Sequence, residues 1–143
     1  MFTSSSLSGN SATLNGGGLA NADTPSGTAP AATFTNSPVS DNTALLRGGG
    51  IHNGLRGTLT TTGVSGTPLI VTGNAGSQGA GIASIDSTAT TLTQTAVTAN
   101  HATRAAGGVY RLGGTMTTTD SPISANTPNN CTASAPAVPQ CTH

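Results

Sequence analysis

Aliphatic and polar positions recur in phase along this chain. An aliphatic residue is followed three positions later by Asn at Leu7/Asn10, Val39/Asn42, Val71/Asn74, Val97/Asn100 and Ile123/Asn126, at intervals of 32, 32, 26 and 26 residues. A second motif, small-Gly-aliphatic, interleaves with it at Gly17-Gly18-Leu19, Gly49-Gly50-Ile51, Ala80-Gly81-Ile82 and Gly107-Gly108-Val109. Elsewhere Thr alternates with other residues, as in Ala32-Thr33-Phe34-Thr35, Gly57-Thr58-Leu59-Thr60, Thr91-Leu92-Thr93 and Thr115-Met116-Thr117. Period-two writing with a β-branched outer side predicts strands. Self-similarity at a nearly fixed period predicts a stacked solenoid. The expected fold is all-β: a single-stranded, right-handed parallel β-helix of about five rungs with three short strands per rung. The hand comes from the general rule for parallel crossovers.

Local geometry fixes what the motifs do. Residues i and i+3 of a straight strand point to opposite faces, so the chain must bend if both the aliphatic and the Asn face inward. Asn tolerates the left-handed conformation that such a corner needs. Stacked in register, Asn10, Asn42, Asn74, Asn100 and Asn126 are expected to form a hydrogen-bonded ladder. The Gly pairs are expected to mark the next corner, where small residues let the backbone turn tightly. Loops around 21–27 and 63–68 absorb the extra length of the early rungs. Repeats are assigned to 1–128, and 129–143 to a C-terminal cap or tail. Cys131 and Cys141 bracket an irregular segment in that tail. A disulfide there contributes about 2–3 kcal/mol and fits an oxidising, extracytoplasmic setting; the alternative is two free thiols. A zinc site is a poor reading, since only His143 lies near.

Composition narrows the function. The chain has no Lys and no Glu, only four Arg and four Asp, for a net charge of zero. No basic field exists to attract nucleic acid. The longest aliphatic run, Leu69-Ile70-Val71, falls far short of a membrane span. No signal peptide is visible. Phe2 to Asn10 matches the middle of a repeat, so the first coil is expected to be open. Phe2 and Leu7 are therefore the candidate assembly end, docking either another copy or an upstream domain.

The Gly-Gly-aliphatic and aliphatic-x-x-Asn motifs resemble the repeats of polymorphic outer-membrane proteins and related bacterial right-handed β-helix surface proteins, over residues 1 to about 130. The ending Asn126-Thr127-Pro128-Asn129-Asn130-Cys131 through Cys141 resembles the C-terminal cap of secreted actinobacterial β-helix repeat proteins. The resemblance implies a secreted or cell-surface role, structural or adhesive, and supplies no catalytic residues.

Chemistry-bearing residues are few. Asp23 and Asp86 are expected in one column with Arg56 between them, the carboxylates about 9.5 Å apart from strand spacing. That separation suits an inverting glycosidase. The plainer account, a surface ion pair worth under about 1 kcal/mol, is the expected one. Asp41 and Asp120 fall in other columns. His52 and His101 fall in separate columns and are expected at the surface. Gly48-Gly49-Gly50 lacks the Lys and helix of a phosphate loop. The sharpest candidate is a Thr face. Thr33/Thr35, Thr58/Thr60, Thr91/Thr93 and Thr115/Thr117 are expected to form two outward columns resembling the ice-binding face of antifreeze β-solenoids. Thr is, however, also a common residue of any solvated strand. The expectation is a secreted or cell-surface structural β-helix acting by end-to-end self-assembly or adhesion, without catalysis, cofactor, metal, nucleic acid or membrane insertion. The alternatives are an ice-binding protein that uses the Thr face, and a carbohydrate-binding or carbohydrate-active β-helix.

Overall fold

A computed structural model describes residues 1–22 and 27–142. The described residues contain strands and no helix, and the strands pair in parallel as a β-solenoid. Four sheets run along it. Sheet A stacks β1 (Phe2–Thr3), β5 (Ala31–Thr35), β9 (Thr58–Thr62), β13 (Ala89–Thr93) and β17 (Thr115–Thr119). Sheet B stacks β2 (Leu7–Ser8), β6 (Val39–Ser40), β10 (Leu69–Thr72), β14 (Thr95–Thr98) and β18 (Ile123–Ser124). Sheet C holds β3 (Ser11–Ala12), β7 (Thr43–Ala44), β11 (Ala75–Gln78) and β15 (His101–Ala105). Sheet D holds β4 (Leu19–Asn21), β8 (Ile51–Asn53), β12 (Ile82–Ile85) and β16 (Val109–Leu112). The parallel β-helix expected from the repeats is thus present, with one correction: each complete coil has four strands, not three. The strand that holds the aliphatic of each aliphatic-x-x-Asn motif ends at the next residue, and in the first four copies a separate strand begins just after the Asn.

The corner itself differs from expectation. The left-handed residue is not the Asn but the one before it: Gly9, Asp41, Gly73, Ala99 and Ala125 all have φ between 53° and 68°. This leaves the Asn side chain pointing inward, where each carboxamide bonds to the next. Asn42 donates to Asn74 Oδ1 from both its backbone N and its Nδ2, at 3.0 Å each. Asn74 does the same to Asn100, at 3.0 and 2.9 Å, and Asn100 to Asn126, at 3.0 and 2.9 Å. Asn10 opens the series with two 3.0 Å bonds to Asn42. A backbone N–H can only donate, so the oxygen of each amide is assigned without ambiguity. From Asn42 onward each Nδ2 also returns to the carbonyl of the aliphatic residue one coil earlier, as Asn74 does to Val39 at 3.1 Å.

The Gly motif and the Asn motif are two halves of one contact. A Cβ on Gly50 would lie 3.0 Å from the Asn74 carboxamide carbon and 2.7 Å from Gly81 O. Gly18 stands in the same relation to Asn42, and Gly108 to Asn126. Each carboxamide fills the hollow that a missing side chain leaves in the coil before it. These glycines therefore permit close approach of one coil to the next. The left-handed turns ahead of them fall to Gly16, Gly48 and Gly79, so the expected turning role belongs to a neighbouring glycine.

Inside, aliphatic columns run along two sheets, Val39, Val71 and Val97 from B and Ile51, Ile82 and Val109 from D, while sheet A contributes Phe34, Leu59 and Leu92 from two neighbouring columns, all buried. Each such side chain contributes about 1.5–3 kcal/mol by leaving water. Sheet C offers only small residues, Ala44 and Ala102, which narrows the cross-section there. The C-terminal segment closes the far end. Thr127 pairs with His101 and Ala135 with Leu112, continuing sheets C and D. Cys131 and Val138 enter the core, and Cys131 is disulfide-bonded to Cys141. Asn130 does two jobs at once. Its carbonyl accepts Val109 N at 2.9 Å, as Gly81 O accepts Ile51 N at 3.0 Å, and its Oδ1 accepts both Asn126 donors at 3.1 Å. One residue thus stands in for the Gly and the Asn of an absent coil.

Candidate surface-binding face

Sheet A strands alternate buried and outward positions because their period is two. The inward residues vary: Ala32 and Phe34 in one coil, then Leu59 and Thr61, Thr90 and Leu92, Met116 and Thr118. The outward ones do not. The register gives one column Thr33–Thr60–Thr91–Thr117 and a second, Thr3–Thr35–Thr62–Thr93–Thr119. Thr58 and Thr115 lie in a flanking third column that alternates with Ala31 and Ala89. All eight expected threonines therefore face outward, but Thr58 and Thr115 belong one column over, and the lattice also includes Thr3, Thr62 and Thr119. Among the described residues, none of the nine hydroxyls in the two columns hydrogen-bonds within the protein. No formal charge lies in either column.

Other outward surfaces are mixed. Sheet B presents Pro38, Ile70 and Ala96 beside a column Ser8–Ser40–Thr72–Thr98–Ser124. Sheet C presents Ser11, Thr43, Ala75 and His101; on sheet D Ala20 is exposed, while His52, Ala83 and Tyr110 in the same column are buried. Thr is uniform only on sheet A.

Among the described residues, the remaining candidates are scattered apart from Arg56 and Asp86. Asp23 and His143 lie outside those residues. Arg56 bonds Gly27 O at 2.8 Å and stacks its backbone on Asp86, whose carbonyl accepts Arg56 N at 3.1 Å. Asp41 and Asp120 occupy different corners, both with left-handed backbone. His101 is exposed, as expected. His52 is not: it is buried, and its Nδ1 has no partner. Burial, and secondarily the charge of Arg47, lowers its pKa below the ordinary value. Arg111 is also buried, its guanidinium bound to the carbonyls of Gly113, Gly114 and Ala137. No group of three metal-ligating side chains occurs among the described residues. Loop 63–68 bulges at the A–B corner and borders a hollow of about 330 Å³ with Gln94, Asp120 and Pro122.

At the first coil, the Phe2 ring stacks on Phe34 with centroids 4.5 Å apart and planes 9° from parallel. Leu7 and Leu19 are only partly buried, and Asn10 Oδ1 has no donor among the described residues. The sequence did not disclose Asn130 as a ladder residue, since it follows Asn126 by four positions rather than by a full period. No protein-family model matches this chain, and neither a curated protein nor a solved structure matches it. What the geometry defines is a class: a disulfide-closed parallel β-solenoid with one chemically uniform face.

Proposed function

We propose that this chain is a non-catalytic β-helix module of an extracytoplasmic protein that works by surface contact, with sheet A as its contact face. The observation that carries this is the lattice: nine of nine outward positions in two registered columns are Thr, while the inward positions of the same strands vary. A general preference for Thr on solvated strands would apply equally to sheets B and C, where other residues occur. The disulfide is consistent with an oxidising compartment. The likeness of the motifs to bacterial surface β-helix repeats supports the same placement. The test is adsorption of the purified chain to a panel of insoluble surfaces (cellulose, chitin, silica, ice), compared with Thr60→Lys/Thr91→Lys. A drop of tenfold or more in the double variant supports the reading. Equal adsorption of both chains to every surface overturns it.

Self-assembly through the first coil, the alternative to an upstream domain docking there, is a second reading, favoured by the unmatched Asn10 acceptor and the partly buried Phe2, Leu7 and Leu19. The last coil is covered by its cap, so head-to-tail stacking of copies lacks a free C-terminal partner. Assembly is then confined to the first-coil face and stops at a closed pair. Sedimentation velocity across a concentration series distinguishes a discrete pair from growing filaments. A strictly monomeric chain removes this reading.

A further inference from the structure

We infer that the partner of the sheet A face is ice, the ordered water lattice at a crystal surface. This rests on the reading above that sheet A is the contact face. The face is uncharged in both columns, so it complements an uncharged surface and not an ionic mineral, a phosphate backbone or an anionic headgroup layer. Its outline is small. Five strands at about 4.8 Å and five residues at about 3.3 Å enclose roughly 300 Å², against about 800 Å² per partner in a stable protein pair. A second copy is therefore a poor occupant.

Periodicity narrows the choice further. The hydroxyls repeat at about 4.8 Å from coil to coil and about 6.7 Å along each strand. Contacts on such a grid add up only against a ligand that itself repeats in two dimensions, which a soluble peptide or oligosaccharide does not. Each Thr pairs a methyl group with a hydroxyl that can donate and accept by rotating, and its β-branch restricts χ1. The array is thus a rigid surface that enters a water network with little ordering cost. No aromatic ring lies in the columns to stack on sugars, which leaves crystalline glycans as the nearest competitor.

The experiment uses the disulfide-intact chain. Thermal hysteresis is measured by nanolitre osmometry, and partition into slowly grown ice is measured beside pull-down on cellulose and chitin. Thr91→Tyr and Thr117→Lys interrupt the face. Thr72→Tyr places the same ring on sheet B. Melting curves show whether each variant is folded, and Thr117 is exposed, so at least one face variant remains interpretable. The expected result is hysteresis and ice enrichment in the parent and in Thr72→Tyr, with at least a tenfold loss in the face variants. A parent excluded from ice overturns the inference. If that parent still binds a crystalline glycan and loses it with Thr91→Tyr, the contact face stands and only its partner changes. Equal losses in Thr72→Tyr and Thr91→Tyr overturn the choice of face.

Discussion

Replacing Asn74 by Ala removes the centre of the ladder. The Asn74 side chain accepts two bonds from Asn42 and donates to Asn100 Oδ1, Val39 O and Thr72 O, all within 3.1 Å. Some partners keep a second bond: Asn42 Nδ2 retains Leu7 O, and Thr72 O retains Asp41 N. The backbone N–H of Asn42 keeps none, and Asn42 is fully buried. An orphaned buried donor costs about 1–3 kcal/mol, and each further lost bond about 1 kcal/mol. The expected loss is therefore about 3–5 kcal/mol, a large part of the 5–15 kcal/mol that stabilises a typical domain. Asn10→Ala is the internal control. Asn10 is exposed and donates only to Ser8 O and Asn42 Oδ1 from its side chain, so its loss should be about 1 kcal/mol or less. Asn74→Asp sharpens the comparison. It keeps the shape but sets an oxygen against the three acceptors that Nδ2 now serves, so it should cost at least as much as Ala despite being nearly isosteric. The assay is urea unfolding followed by far-UV circular dichroism, with the m-value checked for constancy. Asn74→Ala costing no more than Asn10→Ala, or Asn74→Asp tolerated at neutral pH, would refute the ladder as the organising interaction.

Three further outcomes follow from the same geometry. Gly49→Ala drives a Cβ into the Ala75 carbonyl of the next coil, whereas a Cβ on Gly9 meets nothing within 4 Å. The first should cost about 3 kcal/mol or more, the second only the left-handed strain of about 1–2 kcal/mol, as read from urea midpoints. Ala99→Gly and Ala125→Gly relieve that strain at φ 53° and 55°, less the extra unfolded-state entropy of Gly. Each should raise stability by about 0.5–1 kcal/mol. His52 is buried with a lowered pKa. The unfolded chain therefore binds a proton that the folded chain refuses, and stability falls as pH drops from about 6.5 toward the lowered folded value, by at most about 1.4 kcal/mol per pH unit. His52→Gln should remove that acid slope in melting curves taken from pH 7.5 to 5; an unchanged slope would assign it elsewhere.

How much of this was legible follows from what periodicity can carry. The inward Val, Ile and Asn columns were readable because one residue type recurs at one position in each coil. The bend between them was readable too, but its left-handed residue was not, because that residue is Gly, Asp or Ala in different coils and leaves no signature. The Thr columns were placed on the correct side but two residues out of register in two coils. In β9 and β17 Thr fills every outward position, and a slip of two preserves the face. Loop 63–68 hid Thr62 in the same way. His52 read as a surface residue because its strand position faces outward, yet the chain turns at Gly54 against the ring, where a Cβ would lie 2.7 Å from His52 Nε2. Nothing in the local sequence announces that return of the chain.

Asn130 makes the length of the rod independent of its ending. Because this one residue supplies both the carbonyl and the carboxamide that a following coil would provide, the terminator fits beneath any coil that ends in the same two groups. Removing residues 75–100 would excise one full period between two ladder positions and bring His101 directly after Asn74. The shortened chain should retain its cap, its ladder and a Thr lattice one row narrower. The solenoid can be treated as a ruler whose graduations are added or cut in whole units. On that view, lineages carrying such a chain could tune the number of rows offered to a surface without redesigning either end.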